Sequence, residues 1–525
     1  MSGTFALPGR GRGAPPIEGR RTIAVVMAIA SALAILAIAL DWRGSDLPAQ
    51  IFRADLVRRD GFVIWNSQWF GGHALLGYSV IAPLIGAFTG TVALGAISCV
   101  AAAVAFERVL RAAFGRTAWL GAVWFAVGSV TNLIVGRVTF ALGFAFGIGA
   151  VYLLQRRHVV LAVITALLCS LASPLAGCFL AIVAAAWLFA PRERRIEPLV
   201  VLAAALAPIA VITALFPTSG SQPYELWALI WDLVLCLLVG IALWKYRVMR
   251  WGAGLFAIAA IASFLVPTAL GGNISRLGQY VGGPLLACAL LPRRRLVLAA
   301  LAVPLLIWQW FPAVDGIAYS NTDPSTRESY YQPLLQYLAR QPGPIGRVEI
   351  PFTYRHWEAA LVAPHVLLAR GWERQLDIGF NPIFYSKPLT ARSYRQWLRD
   401  NGVAYVALPD VQLDDSSLKE RSLLLGGVSY LHEVWRDAHW RVWRVEGFTG
   451  LIKGQATLRE IEPDRVTLAV QAPGDLVLRI RATRHWALHG GGCVASTADG
   501  WTILRDVPAG TAILSQSLTG TPCRN

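Results

Sequence analysis

From Thr22 to Pro312 the chain repeats one pattern: an apolar block, then a short loop, with arginines crowded into every second loop. The blocks run roughly over 22–40, 79–106, 113–130, 138–154, 158–173, 175–190, 197–216, 224–244, 251–270, 278–291 and 296–312. A bilayer-crossing helix needs about 17–25 apolar residues. The pattern predicts a polytopic α-helical membrane protein with about eleven transmembrane helices. The second block is long enough to hide an extra re-entrant piece. Beyond the last block the sequence is mixed and reads as a C-terminal soluble region. Only 15% of the chain is charged, against about 25% in soluble proteins.

The basic loops orient the spans. "GRGRGAPPIEGRR" precedes the first helix, and "ERVLRAAFGR" from Glu107, "QRRH" from Gln155, "PRERR" from Pro191, "KYRVMR" from Lys245 and "PRRR" from Pro292 fall on alternate loops. The loops between them, such as "PTSGSQPYE" from Pro217 and "GGNISRLGQ" from Gly271, are poor in basic residues. The positive-inside rule then puts the N-terminus in the cytoplasm, and an odd number of spans puts the C-terminal region outside. This reading places a multi-pass protein in the plasma (inner) membrane. Residues 1–21 read as a disordered cytoplasmic lead. A cleaved signal peptide fits less well, because the basic lead is long and no small-residue cleavage site follows the first apolar run. The net charge of +16 is accounted for by topology, and no nucleic-acid motif accompanies it. Membrane lipids are the expected partners, and nucleic acid is not.

Three loops fall outside on this reading. The first, 41–78, holds Asp41, Asp46, Asp55 and Asp60; the second holds Asn132 and Arg137; the third holds Asn273, Arg276 and Gln279. "SDLPAQIFRADLVRRDG" carries helix signals, with Ser45 or Asp46 as cap and Pro48 near the start. It predicts an amphipathic helix in the outer interface with Arg53, Arg58 and Arg59 toward headgroups. Asp55 and Asp60 read as a wetted helix face. Asp41 and Asp46 lie at the membrane surface, where ionisable groups are costly and often functional. Asp46 is read in two ways, as helix cap or as functional carboxylate. Trp65, Trp69 and Tyr78 suit an interfacial belt. Asp232, inside a predicted span, is a secondary candidate.

The residues Gly44, Asp46, Trp65, Trp69, Gly71, Gly72, Tyr78 and Pro83 form a G-x-D, W…GG, Tyr/Pro pattern. That pattern resembles the GT-C superfamily of polytopic glycosyltransferases, in a bacterial, actinobacterial-type branch of membrane proteins. The resemblance implies a GT-C-like membrane domain over 22–312 and transfer of a sugar from a polyprenyl-phosphate donor to an envelope glycan, lipid or protein acceptor outside the cytoplasm. It implies Asp46 as catalytic base, and Asp41 as its alternate or as a group positioning metal or acceptor. Arg137 and Arg276 are the implied phosphate clamps, since guanidinium pairs with phosphate oxygens bidentately. His73, Trp69, Tyr78 and Gln279 are implied substrate contacts. No cofactor is required by this reading, and a divalent metal is admitted. The alternative is a non-catalytic scaffold or glycan-binding protein of envelope assembly. A transporter fits less well, since no inverted repeat or broken-helix pair is visible.

The tail divides in two. Over 313–450, "YYQPLLQYLAR", "RVEIPF" and "SYRQWLRDNGVAYVALPD" predict an α/β domain with a short parallel sheet. Over 451–525, "RVTLAVQAP", "DLVLRIRATR" and "TAILSQSL" alternate with period two and predict a β-sandwich. The dense run His356, Trp357, Glu358, His365, Arg370, Trp372, Glu373 and Arg374 reads either as a carbohydrate-binding surface or as packing. Cys99, Cys169, Cys178, Cys236 and Cys288 lie in apolar blocks as small hydrophobes. Cys493 and Cys523 can pair if the tail is outside the cytoplasm. The orientation has a direct test: a reporter active only outside the cytoplasm, fused after Pro312, is expected to be active, and one active only inside is expected to be silent.

Overall fold

A computed structural model describes residues 16–189, 195–217 and 220–523. The lead before residue 16 and most of the loop at Pro191 lie outside the described residues. The chain divides into two compact units. One comprises residues up to Gln50 together with Leu76–Asn321; the other comprises Ile51–Leu75 and Thr322–Asn525.

The first unit is helical. Its helices are α1 (Pro16–Ala39), the start of α2 (Leu47–Asp60), α3 (Ile81–Thr89), α4 (Thr91–Phe114), α5 (Ala118–Ser129), α6 (Thr131–Val135), α7 (Val138–Gln155), α8 (Val159–Ala172), α9 (Pro174–Leu188), α10 (Ile196–Leu215), α11 (Leu226–Ala242), α12 (Arg247–Leu265), α13 (Ser275–Leu290) and α14 (Arg295–Tyr319). The long second apolar block is two helices. Gly90, at φ +83°, caps the end of α3 and the start of α4, a conformation that glycine adopts without steric cost.

Among the described residues, six segments are long and apolar enough to cross a membrane: Gly19–Ala39, Thr91–Val135, Val138–Gln155, Ile196–Leu215, Arg247–Leu265 and Arg295–Tyr319. α8, α9 and α11 are shorter apolar helices. Large apolar side chains such as Ile35, Ile97, Val160, Leu237, Leu265 and Ile307 stand exposed on this unit. Water would not tolerate so much apolar surface, whereas a bilayer demands it. This is a membrane protein.

Inside the unit, small residues let helices close on one another. A Cβ on Gly121 of α5 would lie 2.5 Å from the Pro284 carbonyl of α13, and one on Gly283 would lie 2.6 Å from the Trp124 ring. Aromatic rings fill the rest of the core: Phe106 stacks on Phe125 with centroids 4.1 Å apart, and Phe140 on Phe144 at 5.2 Å.

The second unit holds a short hairpin, β1 (Trp65–Asn66) and β2 (His73–Ala74), then an α/β part and a sandwich. The α/β part contains α15 (Glu328–Ala339), α16 (Glu358–Leu361), α17 (Arg374–Phe380), α18 (Ala391–Asp400) and α19 (Leu418–Gly426). Its strands β3 (Arg347–Glu349), β4 (Val403–Pro409), β5 (Leu431–Arg436) and β6 (Trp440–Val445) form a sheet in the order β3-β4-β6-β5. Only β3 and β4 run parallel, so the sheet is mixed, because β4, β6 and β5 pair antiparallel.

The sandwich contains β7 (Ile452–Lys453), β8 (Ala456–Ile461), β9 (Arg465–Val470), β10 (Gly474–Arg481), β11 (Trp486–His489), β12 (Cys493–Ser496), β13 (Trp501–Val507) and β14 (Gly510–Gln516). Its two sheets have the orders β12-β13-β10-β7 and β11-β14-β9-β8. Alternate residues Val466, Leu468 and Val470 face the core with Leu476, Leu478 and Ile480, the pattern a half-buried strand requires. Cys493 and Cys523 form a disulfide.

Residues 51–75 are built into this second unit. Leu368 N donates to the Gln68 carbonyl at 2.9 Å, Arg481 N to Gly71 at 2.8 Å, and the Ser67 hydroxyl to Pro463 at 2.9 Å.

Candidate functional site

The polar site of the first unit begins with a backbone contact. After α1 the chain turns at Asp41, whose φ is +52°. Gly44 N then donates to the Ile134 carbonyl at 2.8 Å, and Asp46 N to the Val135 carbonyl at 3.0 Å. Such an approach leaves no room for side chains. A Cβ on Gly44 would lie 2.5 Å from the Ile134 oxygen. Gly136, left-handed at φ +91°, ends α6, and a Cβ there would lie 2.2 Å from Leu47 N. Gly316 of α14 meets the same junction, with its Cβ position 3.4 Å from the Gly44 Cα.

Arg137 follows directly, and its Nε donates to Asp46 Oδ2 at 3.3 Å. Arg137 also hydrogen-bonds Tyr280. The Tyr280 hydroxyl shares a further hydrogen bond with Thr131 at 3.0 Å. Arg276 lies over the Phe140 ring at 5.5 Å and within electrostatic reach of Arg137, Asp46, Tyr78 and Tyr280. Tyr78 in turn accepts a hydrogen bond from Gln50 at 3.0 Å. The structure thus gathers Asp46, Arg137, Arg276 and Tyr78 from three loops. Arg137 pairs with Asp46 and Arg276 stands within electrostatic reach of both, an arrangement with cationic excess that suits an anion bearing several oxygens.

An apolar cavity of about 190 Å³ opens in the same unit. Its walls include Phe144, Phe179, Leu235, Phe256, Leu277 and Gly278. Leu277 and Gly278 directly follow Arg276 in α13, and Phe144 stacks on the ring beneath the Arg276 guanidinium. None of Asp46, Arg137, Arg276 and Tyr78 lines this cavity, which also extends to Val109, Gln155 and Met249 at the other helix ends.

Other predicted residues lie elsewhere. Asp41 is exposed and paired with Arg43 at 2.6 Å. Gln279 is half-buried, and its carbonyl accepts from Gln309 at 2.9 Å. Trp69 and His73 belong to the second unit and are buried there. Trp69 lies stacked on both Phe52, at 4.2 Å, and His73, at 5.8 Å. Burial holds the His73 imidazole neutral, pushing its pKa down to about 3. Trp65 packs into the sandwich core, so these tryptophans are packing residues and not a belt at a lipid interface. Arg53 is likewise not directed at headgroups: it is buried and ion-paired with Glu373. Asp55 pairs with Arg58 on the exposed face of α2.

Tyr280, Thr131 and Phe140 escaped the sequence reading. A signal for Tyr280 was present, because it stands four residues after Arg276 and so shares its helix face.

The ionisable run in the second unit is an internal network. Arg370 is 2% exposed and lies between the Phe352 and Phe384 rings, at 3.8 and 4.0 Å. It pairs with Asp377 at 2.6 Å, with Glu349 at 3.8 Å and Glu420 at 3.7 Å. Arg374 grips Asp414 through both oxygens, at 3.0 and 2.6 Å. His356, at φ +58°, stacks on Trp372 with Nε2 3.5 Å from Asp414 and Nδ1 3.8 Å from Glu358. Its burial removes this cluster from any carbohydrate-facing surface.

Burial pushes Glu358 up to about 8 and Glu420 up to about 7, and raises Glu349 well above the usual carboxylate range. Against its own burial, hydrogen bonds from His356 and Arg374 hold Asp414 far below that range. Among the described residues, no group of three or more His, Cys, Asp or Glu is placed to hold a metal ion. The Asp46 cluster offers one carboxylate already paired with a guanidinium, a poor fit to the oxygen-rich shell of a divalent cation.

No protein-family model and no curated protein matches the chain. Among solved structures, it is similar to the Archaeoglobus fulgidus oligosaccharyltransferase tethered with an acceptor peptide containing the NVT sequon, at 13% identity and a TM-score of 0.45, over 74% of this chain and 69% of that one.

Two outcomes follow from this geometry. Gly136→Ala is expected to destabilise the purified protein by about 1–3 kcal/mol, because alanine there is both strained and clashing; an unchanged melting temperature in detergent would exclude the close approach. For the second unit, Glu358 and Glu420 bind protons more tightly folded than unfolded. The stability they supply is complete below about pH 4.5 and is lost as pH rises through 7 and 8. Melting temperature of the intact protein should therefore fall between pH 6 and pH 8.5 at this unit's transition, and Glu358→Gln, which mimics the protonated acid, should flatten that fall.

Proposed function

We propose that this protein is a membrane glycosyltransferase of GT-C type, in a bacterial, actinobacterial-type branch, acting outside the cytoplasm. It takes a sugar from a polyprenyl-phosphate donor and passes it to an envelope glycan, lipid or protein. The observation that carries this reading is the gathering of Asp46, Arg137 and Arg276 in one apolar helical unit that also holds an apolar cavity. A ligand matching both features has a phosphate and a long hydrocarbon tail. The basic loops and the Cys493–Cys523 disulfide support an extracytoplasmic site, since disulfides persist in oxidising compartments.

In this mechanism Asp46 accepts the proton of the acceptor hydroxyl as the new glycosidic bond forms. Arg137 orients the carboxylate through their ion pair. The bond from the sugar to the phosphate breaks, and the leaving polyprenyl phosphate, gaining charge, is stabilised by Arg276 and Arg137. Tyr280 holds the Arg137 head, with Thr131 behind it. No step runs through a metal ion.

The second reading is a non-catalytic scaffold or glycan-binding protein on the same architecture. It draws on the isolation of Asp46: Asp41 is engaged with Arg43, so the cluster holds one carboxylate already neutralised by Arg137. The two readings part in one experiment. Asp46→Asn, at equal membrane abundance, is expected to lower transfer from a polyprenyl-phosphate sugar by about 100-fold or more, the usual contribution of a general base. Transfer at the wild-type rate would remove Asp46 as base. Tight binding of polyprenyl phosphate without transfer from any lipid-linked sugar would favour the scaffold.

A further inference from the structure

We propose that Asp232, buried inside the helical unit, is a positioning residue for Arg276 and so sets the affinity of the Arg276 site for phosphate; this rests on the reading of that site as a lipid-phosphate site. Asp232 lies on α11 and is 0% exposed. One of its oxygens, Oδ2, accepts hydrogen bonds from the Tyr224 hydroxyl, at 2.6 Å, and from the Ser275 hydroxyl. Ser275 is the first residue of α13, and the next residue is Arg276.

The hub ties together two segments that lead into helices. Tyr224 belongs to the stretch before α11, and that stretch is bonded to the turn before α13. Gln222 N donates to Thr268 at 2.9 Å, and Gly272 N to Pro223 at 3.3 Å. A Cβ on Gly271 would lie 1.9 Å from the Gln222 carbonyl. The carboxylate therefore fixes the start of α13 from the inside while the backbone bonds fix it from the loop side.

Arg276 needs such an anchor. Its neighbours include a second guanidinium, Arg137, which repels it, and the single carboxylate Asp46. Before an anion arrives, a freely moving Arg276 would swing away from Arg137. A start of α13 tethered to Asp232 holds the two cations together in the empty site. The cost of bringing them together is then met in folding, and the anion is bound more tightly for it. An acid within a span is expensive, and holding a cation against its own repulsion is a function that justifies one.

The test is a double-mutant cycle on the full-length protein in nanodiscs, titrated with a polyprenyl phosphate and, as control, with the matching polyprenol lacking phosphate. Arg276→Ala is expected to weaken polyprenyl phosphate binding about tenfold or more. Asp232→Ala and the milder Ser275→Ala are expected to weaken it too, the combined Asp232/Arg276 variant being no weaker than Arg276→Ala alone. Asp232→Asn, which keeps an acceptor for Tyr224 and Ser275, is expected to restore most of the affinity. Polyprenol binding should be unmoved in every variant, and in transfer assays of Asp232→Ala and Ser275→Ala the donor KM should rise more than kcat falls. Additive losses in the double variant, or equal losses for polyprenol, would overturn the positioning role and leave a merely structural one. Should Ser275→Ala fold normally and bind as wild type while Arg276→Ala is weakened, the proposal also fails. If Arg276→Ala itself binds polyprenyl phosphate as wild type does, it is the lipid-phosphate reading that falls, and this inference with it.

Discussion

The docking of residues 44–47 on residues 134–136 is the contact on which the candidate site depends. Two backbone hydrogen bonds bring the segments together, and Gly44, Gly136 and Gly316 supply the space. Without that approach Asp46 and Arg137 would belong to unrelated loops. With it, Asp46 in the first segment meets Arg137, the residue that directly follows the second. Glycine acts here by what it omits: a methyl group at Gly44 or Gly136 would clash with the facing backbone and push the segments apart. The Asp46 question, cap or functional group, thus gains a third term, since the carboxylate is a partner to Arg137.

Much of the helical unit was written in the sequence. The predicted blocks 138–154, 158–173 and 197–216 fall within two residues of α7, α8 and α10, because an apolar run bounded by charge has few other ways to satisfy its backbone in lipid. The break at Gly90 was harder, since it depends on one left-handed residue within a continuous apolar stretch. Of the candidate residues, Asp46, Arg137, Arg276 and Tyr78 do meet. The loop assignment, not any motif, brought them onto one side of the membrane on paper. Trp69 and Arg53 were misread for a common reason. Interfacial belts and headgroup-facing arginines are local readings of composition, whereas the fate of Arg53 is decided by Glu373, 320 positions away in the chain. No periodicity carries that information.

The two units solve the problem of buried charge differently. In the second, Arg370 and Arg374 are matched by Asp377 and Asp414, Glu349 and Glu358 keep their protons, and buried Arg347 is satisfied by the Asn401 and Arg479 carbonyls. That is the expected outcome when ionised groups are taken from water. In the helical unit's cluster Arg137 pairs with Asp46, and Arg276 lies over the Phe140 ring.

The boundary between the units does not coincide with the end of the membrane helices. It falls inside α2, between Gln50 and Ile51, and is crossed again after Leu75. The C-terminal unit therefore owns a piece of sequence inserted hundreds of residues upstream, including Arg53, the partner of Glu373, and Trp65 of the sandwich core. This has an evolutionary reading. A recombination event that moved the last two hundred or so residues onto another membrane scaffold would strand Glu373 without its cation and leave a hole in the sandwich. The two halves are thus inherited as one piece. Diversification in such a lineage is expected by point substitution in the loops rather than by exchange of whole domains.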